Sequence, residues 1–464
     1  MSDSFEVRAP MQALVVTVRA EVGQAVAPGQ PLVILEAMKM EHIVAAERGG
    51  VVRKVLVDAD AMVAAGDLLV LLEPAEHAEL ATAAVEEASL DAIRPDLAEV
   101  IQRHAFGLDE NRPEAVAKRR KTGQRTAREN IANLVDEGTL VEYGALVIAA
   151  QRRRRPIDEL IRRTPADGMV AGVGRVNGEA FGEARTLCVV MSYDYTVLAG
   201  TQGTMNHLKK DRMFELAEER SLPVLLFAEG GGGRPGDTDH AIVAGLDCRA
   251  FQYFAELSGR VPLVGVSSGR CFAGNAALLG CCDVVIATKA SNIGMGGPAM
   301  IEGGGLGVFA PEAVGPSASQ YRNGVIDVLV EDDDEAVAAA KKYLSYFQGT
   351  LSGWTCADQR LLRSAIPENR LRVYEVREVI EILADEGSVL ELRGGFGAGM
   401  VTALGRVEGR PVGIIANNPM HLGGAIDGEA ADKASSFMKL CSAFGIPLVF
   451  LCDTPGFMVG PEAE

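Results

Sequence analysis

The first 73 residues contain an internal repeat, which restricts the possible fold more than any other feature of the chain. A shift of 37 positions places Val26–Glu36 on Val63–Glu73, and the same shift aligns Val15 with Val52. Short runs of β-branched residues separated by Gly and Asp are typical of strands and turns. Two copies of a four-strand unit therefore predict a small, flattened β-barrel with pseudo-twofold symmetry.

Lys39 lies between the two copies, in the run Glu36-Ala37-Met38-Lys39-Met40. A connection between two strands is exposed, so a ligase could reach and acylate a lysine at its tip. The alternative is an ordinary surface lysine. The segment resembles the biotinyl domain of biotin-dependent carboxylases, although the Pro-Gly pair that usually follows Ala-Pro-Met is Gln12-Ala13 here. The resemblance implies that Lys39 carries covalent biotin between Met38 and Met40; a related barrel carries lipoate, where Asp usually precedes the lysine.

Residues 74–95 are rich in Ala and Glu and contain few large apolar side chains. This composition indicates a partly helical linker, which would span roughly 33 Å if it were fully helical. A carrier that visits separate sites requires such a tether.

The rest of the chain contains a second duplication. Its matching segments are Leu134–Glu142 with Leu383–Glu391 at a shift of 249, Met169–Gly178 with Met400–Gly409 at 231, and Lys209–Leu225 with Lys433–Val449 at 224. Most of the difference between these shifts is an extra segment in the first copy, Gln151–Gly168. Strands that alternate with helices predict an α/β fold with βαβ units. The second copy stops at the position matching His240, so we expect it to be partial.

These repeats give a multidomain expectation: an all-β barrel followed by two α/β repeats, the second incomplete. The predicted parts are a carrier domain (1–73), a linker (74–95), a first α/β domain (96–355) and a partial second α/β domain (356–464).

Two glycine-rich segments follow buried strands in the first α/β copy. They are Glu229–Gly236 and Pro262–Asp283, which passes through Ala273 and Gly274 into a predicted helix. Glycines and a helix start leave backbone N–H groups free to bind an anion or an enolate oxygen. A nucleotide-binding P-loop is a weak alternative because no Gly-Lys-Ser/Thr follows, and a tight packing corner is the structural alternative.

The run Gly265–Gly269 also matches the GxSxG elbow of hydrolases. That chemistry requires a histidine downstream of Ser267, and His421 in the other copy is the one available. We therefore disfavour a hydrolase.

Net charge and residue usage exclude several classes of partner. The formal net charge of −18 argues against binding nucleic acid or an anionic membrane. Two basic clusters could meet the phosphates of an anionic cofactor or form a solvated or subunit-contact face: Arg152–Arg155 with Arg162 and Arg163, and Lys118–Lys121. No apolar run reaches the length of a membrane span, no leader is recognised, and the eight cysteines form no CxxC, so we expect buried thiols, no metal and a cytoplasmic location.

The block from Arg94 to Glu464 resembles the carboxyltransferase of acyl-CoA carboxylases, both the propionyl-CoA carboxylase β type and the single-chain, long-chain enzymes. The motifs that carry the resemblance are Gly123–Glu129, Ile415–Pro419 and Cys452–Phe457. It implies two crotonase-like domains that move a carboxylate from carboxybiotin to the α-carbon of an acyl-CoA without a side-chain nucleophile.

The resemblance also implies site residues and partners. The backbone near Ala273 and Gly274, with Gly232 and Gly233 nearby, would form the oxyanion hole for the coenzyme A thioester; Gly456 and Phe457 would form a wall of the biotin pocket. It further implies a homo-oligomer, hexameric in related proteins, a biotin protein ligase, and a biotin carboxylase on another chain because no ATP-grasp domain is present. A transcarboxylase or decarboxylase, and a carrier with an inactive transferase, remain as alternatives. The acyl chain length, the identity of the carboxylase partner and the oligomer number are not readable.

Overall fold

The computed structural model describes residues 4–74, 89–239, 248–461 and 463. The chain divides into two compact units, Met1–Ile93 and Arg94–Glu464. Most of the predicted linker, residues 75–88, lies outside the described residues.

The first unit consists of two four-stranded sheets. Its strands are β1 (Phe5–Arg8), β2 (Ala13–Val18), β3 (Ala25–Val26), β4 (Pro31–Ala37), β5 (Met40–Ala45), β6 (Gly50–Val55), β7 (Met62–Val63) and β8 (Leu68–Glu73). The sheet orders are β1-β8-β6-β3 and β5-β4-β2-β7. Moving each strand four places along the numbering converts one order into the other, so the 37-residue repeat is a pseudo-twofold relation between the sheets, as predicted.

The side chains that fill the first unit come from equivalent positions of both copies. Val15 and Val52 are both buried, and so are Leu32 and Leu69. Burial of these apolar side chains between the two sheets is the main force that stabilises so small a unit.

The second unit begins with a complete α/β copy. Its helices are α1 (Pro95–Ala105), α2 (Pro113–Arg120), α3 (Ala127–Leu134), α4 (Ile157–Arg163), α5 (Gly178–Phe181), α6 (Thr204–Arg220), α7 (Arg249–Glu256), α8 (Gly274–Gly280), α9 (Pro298–Gly303), α10 (Ser317–Arg322) and α11 (Asp333–Gln348). Its strands are β9 (Val141–Glu142), β10 (Met169–Arg175), β11 (Leu187–Tyr193), β12 (Val224–Phe227), β13 (Leu263–Ser267), β14 (Arg270–Phe272), β15 (Val284–Thr288), β16 (Asn292–Gly294) and β17 (Val328–Val330). The main sheet has the order β17-β15-β13-β12-β11-β10-β9, and β14 pairs with β16 beside it.

The second copy repeats the first part of this order. Its elements are α12 (Leu362–Ala365), α13 (Val376–Leu383), β18 (Leu390–Leu392), β19 (Met400–Val407), β20 (Arg410–Asn417), α14 (Gly428–Ala443) and β21 (Leu448–Leu451). The sheet β18-β19-β20-β21 corresponds to β9-β10-β11-β12: in both, two antiparallel pairs are followed by a parallel pair. The predicted duplication and α/β class are confirmed.

One apolar core joins the two copies. It contains Val190 and Val264 from the first sheet, Leu404 and Ile415 from the second, and Leu344 from α11. The two sheets therefore form a single packed unit, and the glycine-rich ends of their strands are held on a rigid scaffold.

No helix in the described part of the chain is long and apolar enough to cross a membrane. Three of the cysteines, Cys188, Cys271 and Cys441, are buried. Cys356 and Cys452 are exposed, so the expectation of uniformly buried thiols is wrong at these two positions, which lie in a loop and just beyond a strand end.

Candidate functional site

Lys39 lies at the tip of a two-residue hairpin. Strands β4 and β5 pair from Pro31–Ala45 to Ala37–Met40, which leaves Met38 and Lys39 as the connection. Both residues have positive φ, 54° for Met38 and 66° for Lys39. Positive φ at both central residues is the signature of a type I′ turn, whose twist matches that of the paired strands. The side chain of Lys39 is exposed, and Met38 and Met40 are 97% and 65% exposed.

The two glycine-rich segments of the first α/β copy meet at the carboxyl end of the main sheet. Gly232 follows β12 with φ +86°, and a Cβ built on it would lie 2.6 Å from the Cβ of Ala273 and 3.5 Å from the backbone nitrogen of Gly274. A side chain at position 232 would therefore push the two segments apart. The structure brings together Gly232, Gly233, Ala273 and Gly274; we call this contact the glycine junction.

Some backbone N–H groups at the glycine junction already have partners. The N–H of Ala273 donates to the carbonyl of Gly294 over 3.1 Å, and that of Gly232 donates to Asn275 Oδ1 over 3.1 Å. Among the described residues, the N–H groups of Gly233 and Gly274 have no acceptor. These two are the donors that could bind a carbonyl or enolate oxygen.

The corner before α8 is strained. Ala273 has φ 52° and ψ −125°, a conformation that costs a non-glycine residue on the order of 1–3 kcal/mol. Asn275 stabilises the corner, because its Nδ2 donates to the carbonyls of Glu229 and Gly200 over 2.8 and 3.2 Å. One buried amide thus connects the start of α8 to the end of β12.

A buried ion pair fixes the end of β12 just before the glycines. Arg119 donates from Nη1 and Nη2 to the two carboxylate oxygens of Glu229 over 2.6 and 2.7 Å. Burial raises the pKa of Glu229, and the Arg119 guanidinium opposes that shift. Because Arg119 is paired with the buried Glu229, it is not available to a phosphate. The prediction that the whole run Lys118–Lys121 could bind phosphates is therefore wrong at Arg119.

Arg234 anchors the other end of the glycine segment. It donates to Asp167 Oδ1 over 2.5 Å and to the carbonyl of Thr201 over 2.7 Å, and it is buried. Asp167 belongs to the segment Gln151–Gly168 that the second copy lacks.

Gly456 and Phe457 occupy the equivalent place in the second copy. The bridge Gln202–Gly233 of the first copy has a counterpart in the bridge Ile426–Phe457. Gly456 has φ +130°, and Phe457 is 74% exposed. The structure therefore places Gly456 and Phe457 together, on a strand end that matches Gly232 and Gly233 of the glycine junction.

A buried polar network beneath the glycine junction was missed by sequence reasoning. Lys210 on α6 donates from Nζ to Tyr193 Oη over 2.9 Å, and Gln202 donates from Nε2 to the same oxygen over 3.0 Å. Neither residue belongs to a recognisable motif. The available signal was that Lys210 aligns with Ala434 at the shift of 224, which marks a polar residue that one copy needs and the other does not.

The basic cluster that begins at Arg152 is partly exposed beside a groove. Arg152 and Arg153 line this groove together with Arg103 and His104, whereas Arg155 and Arg163 pair with Glu159. Arg152 and Arg153 therefore remain candidates for contact with an anionic ligand.

The hydrolase alternative finds no support in the geometry. Ser267 is fully buried in β13, and His421 Nε2 lies 2.9 Å from Asp427 Oδ2 in the second copy. The GxSxG run is a buried strand end.

Comparison with known families assigns both units. Residues 118–464 match the carboxyl transferase domain family, and residues 5–72 match the family of biotin-requiring enzymes. The 12S subunit of methylmalonyl-CoA carboxyltransferase from Propionibacterium freudenreichii subsp. shermanii is 34% identical to this chain over an alignment that covers 75% of the chain. The beta4 subunit of a biotin-dependent long chain acyl-coenzyme A carboxylase from Mycobacterium tuberculosis is 32% identical over 82% of the chain and 72% of its own length.

Two solved structures are similar over most of the chain. A single-chain, multi-domain long-chain acyl-CoA carboxylase is 57% identical, with a TM-score of 0.78 over 99% of this chain. The transcarboxylase 12S hexamer, crystallised with hydrolysed methylmalonyl-CoA bound, is 30% identical, with a TM-score of 0.68 over 81% of this chain. The present chain spans 44% of the single-chain carboxylase and 66% of the curated 12S subunit. Because one family match extends from residue 118 to residue 464 and the duplicated α/β architecture agrees with it, the chain belongs to the carboxyl transferase family, with a biotin-requiring domain at residues 5–72.

Proposed function

We propose that this protein is the biotin carrier and carboxyltransferase component of an acyl-CoA carboxylase, and that it adds a carboxylate to the α-carbon of an acyl-CoA thioester. The observation that carries the proposal is the occurrence, on one chain, of an exposed lysine in a strained hairpin and a glycine junction with two free N–H donors in a carboxyl transferase fold. Neither feature alone would specify this activity.

The hairpin residues fit covalent biotin. Lys39 is exposed, and the hydrogen-bonded pairs of β4 and β5 extend up to the two-residue turn, so a ligase would meet a rigid target. Biotin attached to Lys39 would supply a ring nitrogen that carries the carboxylate from one active site to another. Met38 and Met40 would contact the ligase or the biotin chain through their exposed thioethers.

The glycine junction would act on the acyl-CoA. Loss of the α-proton places negative charge on the thioester oxygen, and N–H donors aimed at that oxygen stabilise the charge more in the transition state than in the ground state. Gly233 and Gly274 are the donors with no acceptor of their own among the described residues. Arg152 and Arg153 are suited by charge to the phosphates of coenzyme A.

The parts of the chain take the roles expected from the sequence. Residues 1–73 carry biotin, 74–95 tether it, 96–355 bind acyl-CoA, and 356–464 contribute Gly456 and Phe457 to a biotin pocket. We further propose a cytoplasmic protein that works with a biotin carboxylase on a separate chain, is modified by a biotin protein ligase and forms a homo-oligomer. The hexamer of the similar transcarboxylase 12S structure supports the last point.

The test is carboxyl transfer in the reverse direction by the purified, biotinylated protein. Radiolabelled methylmalonyl-CoA and malonyl-CoA serve as donors, and label that becomes attached to the protein is counted. We expect label on the wild type and a loss of at least about a hundredfold in the Gly232→Ala variant, since one misplaced donor costs that much. Gly280→Ala is the matched control, because a Cβ there meets nothing within 4 Å and needs no positive φ. No label on a wild type shown by mass to carry biotin would overturn the proposal.

A further inference from the structure

Lys210 is fully buried at a position where the second copy has alanine. Its helix, α6, corresponds to α14 of the second copy, and the neighbouring lysines Lys209 and Lys433 are buried at matching positions of the two helices. One residue further on, the first copy has Lys210 and the second has Ala434. The same helix therefore packs on the same sheet in the second copy without a second lysine.

The partners of Lys210 follow the same pattern. Tyr193 is the last residue of β11 and Gln202 forms the bridge to Gly233; in the second copy Asn417 and Ile426 occupy these places. Burial of an ammonium group is strongly unfavourable unless hydrogen bonds compensate. Because the repeat forms with Ala and Ile at these places, the Lys210–Tyr193–Gln202 network serves something that is particular to the first copy.

Gln202 touches both sides of the glycine junction. Its backbone N–H donates to the carbonyl of Gly232 over 2.7 Å, and its carbonyl accepts from the N–H of Arg234 over 2.8 Å. Its side-chain Oε1 lies 3.2 Å from where a Cβ of Gly274 would be, so the amide packs directly on that glycine. Gln202 thereby links the residue before Gly233 to Gly274, and the N–H groups of those two glycines are the free donors.

Hydrogen bonds to Tyr193 fix the orientation of the Gln202 amide. Its Nε2 donates to Tyr193 Oη, which also receives a hydrogen bond from Lys210 Nζ. All three side chains are at most 2% exposed, so water cannot replace a lost partner. In such a closed network the loss of one member leaves the others unsatisfied and free to reorient.

We propose that Lys210 and Tyr193 are positioning residues of the carboxyl transfer reaction, which through the Gln202 amide hold the Gly233 and Gly274 donors at the spacing that binds the thioester oxygen. This inference rests on the proposed function. It adds that three buried side chains, none of which touches the substrate, set the geometry of the oxyanion site.

The test compares binding of a thioester with binding of its thioether. Propionyl-CoA is paired with S-propyl-CoA, and decanoyl-CoA with S-decyl-CoA; each thioether keeps the chain and coenzyme A but lacks the carbonyl oxygen. Calorimetric affinities are measured on the full chain for the wild type, Tyr193→Phe, Lys210→Met and the double variant. Tyr346→Phe is the matched control, because it removes another buried phenol hydroxyl, one that donates to the Ser388 carbonyl.

We expect the wild type to prefer the thioester, and the network variants to lose most of that preference while keeping their affinity for the thioether. Their kcat/KM for carboxyl transfer should fall about tenfold, which is less than the loss from removal of a donor itself. The double variant should be no worse than the single variants, because the three residues act as one unit.

The inference is overturned if Tyr193→Phe matches Tyr346→Phe in both the thioester preference and kcat/KM, since the network would then be structural. It is also overturned if the wild type binds thioester and thioether equally well. Failure of the proposed function would look different: thioester preference would persist in a biotinylated wild type that transfers no label.

Discussion

Met38 and Lys39 hold backbone conformations that neither residue favours. Each left-handed residue costs about 1–2 kcal/mol, and the Asn-Gly pairs that usually fill such turns avoid much of this cost. The strain persists because the paired strands on both sides, which end at Ala37–Met40, leave a connection of just two residues. The sequence could predict that Lys39 lies in an exposed turn, but it could not predict the turn type, since Met and Lys carry no turn signal.

The glycines were predictable and the network beneath them was not. Gly232 and Gly274 lie in glycine-rich runs, which predict a close approach of two backbone segments. The structure shows this approach, because a Cβ built on Gly232 would lie 2.6 Å from the Cβ of Ala273. Lys210, Tyr193 and Gln202 come from a helix, a strand end and a loop. Their contact depends on tertiary packing, and periodicity in the sequence does not report it.

Lys210 should make the stability of the second unit depend on pH. Burial lowers the pKa of Lys210 from 10.5 to about 7. Between those values the unfolded chain binds more protons than the folded chain, so the contribution of Lys210 to stability is least favourable below pH 7 and rises as the pH increases. Cys248, Asp211 and Asp167 oppose the effect of burial on this pKa, whereas Arg234 adds to it.

We therefore expect Lys210→Met to be as stable as the wild type or more stable at pH 6.5, and to lose that advantage by at most about 1.4 kcal/mol per pH unit towards pH 9. Urea unfolding followed by the fluorescence of Trp354, the single tryptophan, measures the second unit alone. The exposed Lys54→Met change in the first unit is the control. Parallel pH profiles for wild type and Lys210→Met would contradict the assigned burial.

At the scale of elements, the repeat explains why so much of the fold could be read from the sequence. Helix α6 and helix α14, like β12 and β21, were each indicated twice, once in each copy. The short strands β14 and β16 had no such support. They pair with each other outside the main sheet, and three-residue strands carry too few residues to show a period.

The motif Gly123–Glu129 is explained by helix α3. Thr126 Oγ1 accepts from the N–H of Glu129 over 3.1 Å, and Glu129 Oε2 accepts from the N–H of Thr126 over 2.8 Å, which is a capping box. Thr126 also donates to Asp109 Oδ2. A motif that identified the family thus serves to start a helix.

We predict that Thr126→Ala lowers the free energy of unfolding of the second unit by about 1 kcal/mol, because the N-cap acceptor is lost. Thr126→Ser keeps the hydroxyl and should lose less than half as much. The urea midpoint read from Trp354 fluorescence measures both. Equal losses for Ala and Ser would mean that the methyl group, and not the cap, stabilises the helix.

At the scale of the whole molecule, the two units have separate cores. The apolar cluster of the first unit runs from Val7 to Leu72, and the clusters of the second begin at Ala127. We expect two calorimetric transitions. Leu35→Ala should lower the free energy of unfolding of the first unit and Leu404→Ala that of the second, each by the roughly 2–5 kcal/mol typical of such cavities. Each change should therefore lower the temperature of one transition and leave the other in place. If either change moved both transitions equally, the units would unfold together.

Separate cores also imply that one mutation can abolish biotin attachment without abolishing carboxyl transfer, and the reverse. Lys39 and Lys54 are the two lysines of residues 1–73. Lys39→Arg keeps the positive charge but offers no amine that a ligase can acylate, so biotin incorporation should be abolished, while Lys54→Arg should incorporate biotin as the wild type does. Streptavidin blotting and intact mass measure this directly.

The same variant separates the two active parts of the protein. Lys39→Arg should transfer no label from methylmalonyl-CoA to protein, yet it should still transfer label to free biotin added as the acceptor, because the glycine junction is intact. Gly232→Ala should show the opposite pattern: normal biotin incorporation and no transfer to either acceptor. If Lys39→Arg lost transfer to free biotin while its second unit unfolded normally, Lys39 would have a role in the transferase site itself, and the division of labour between carrier and transferase would be wrong.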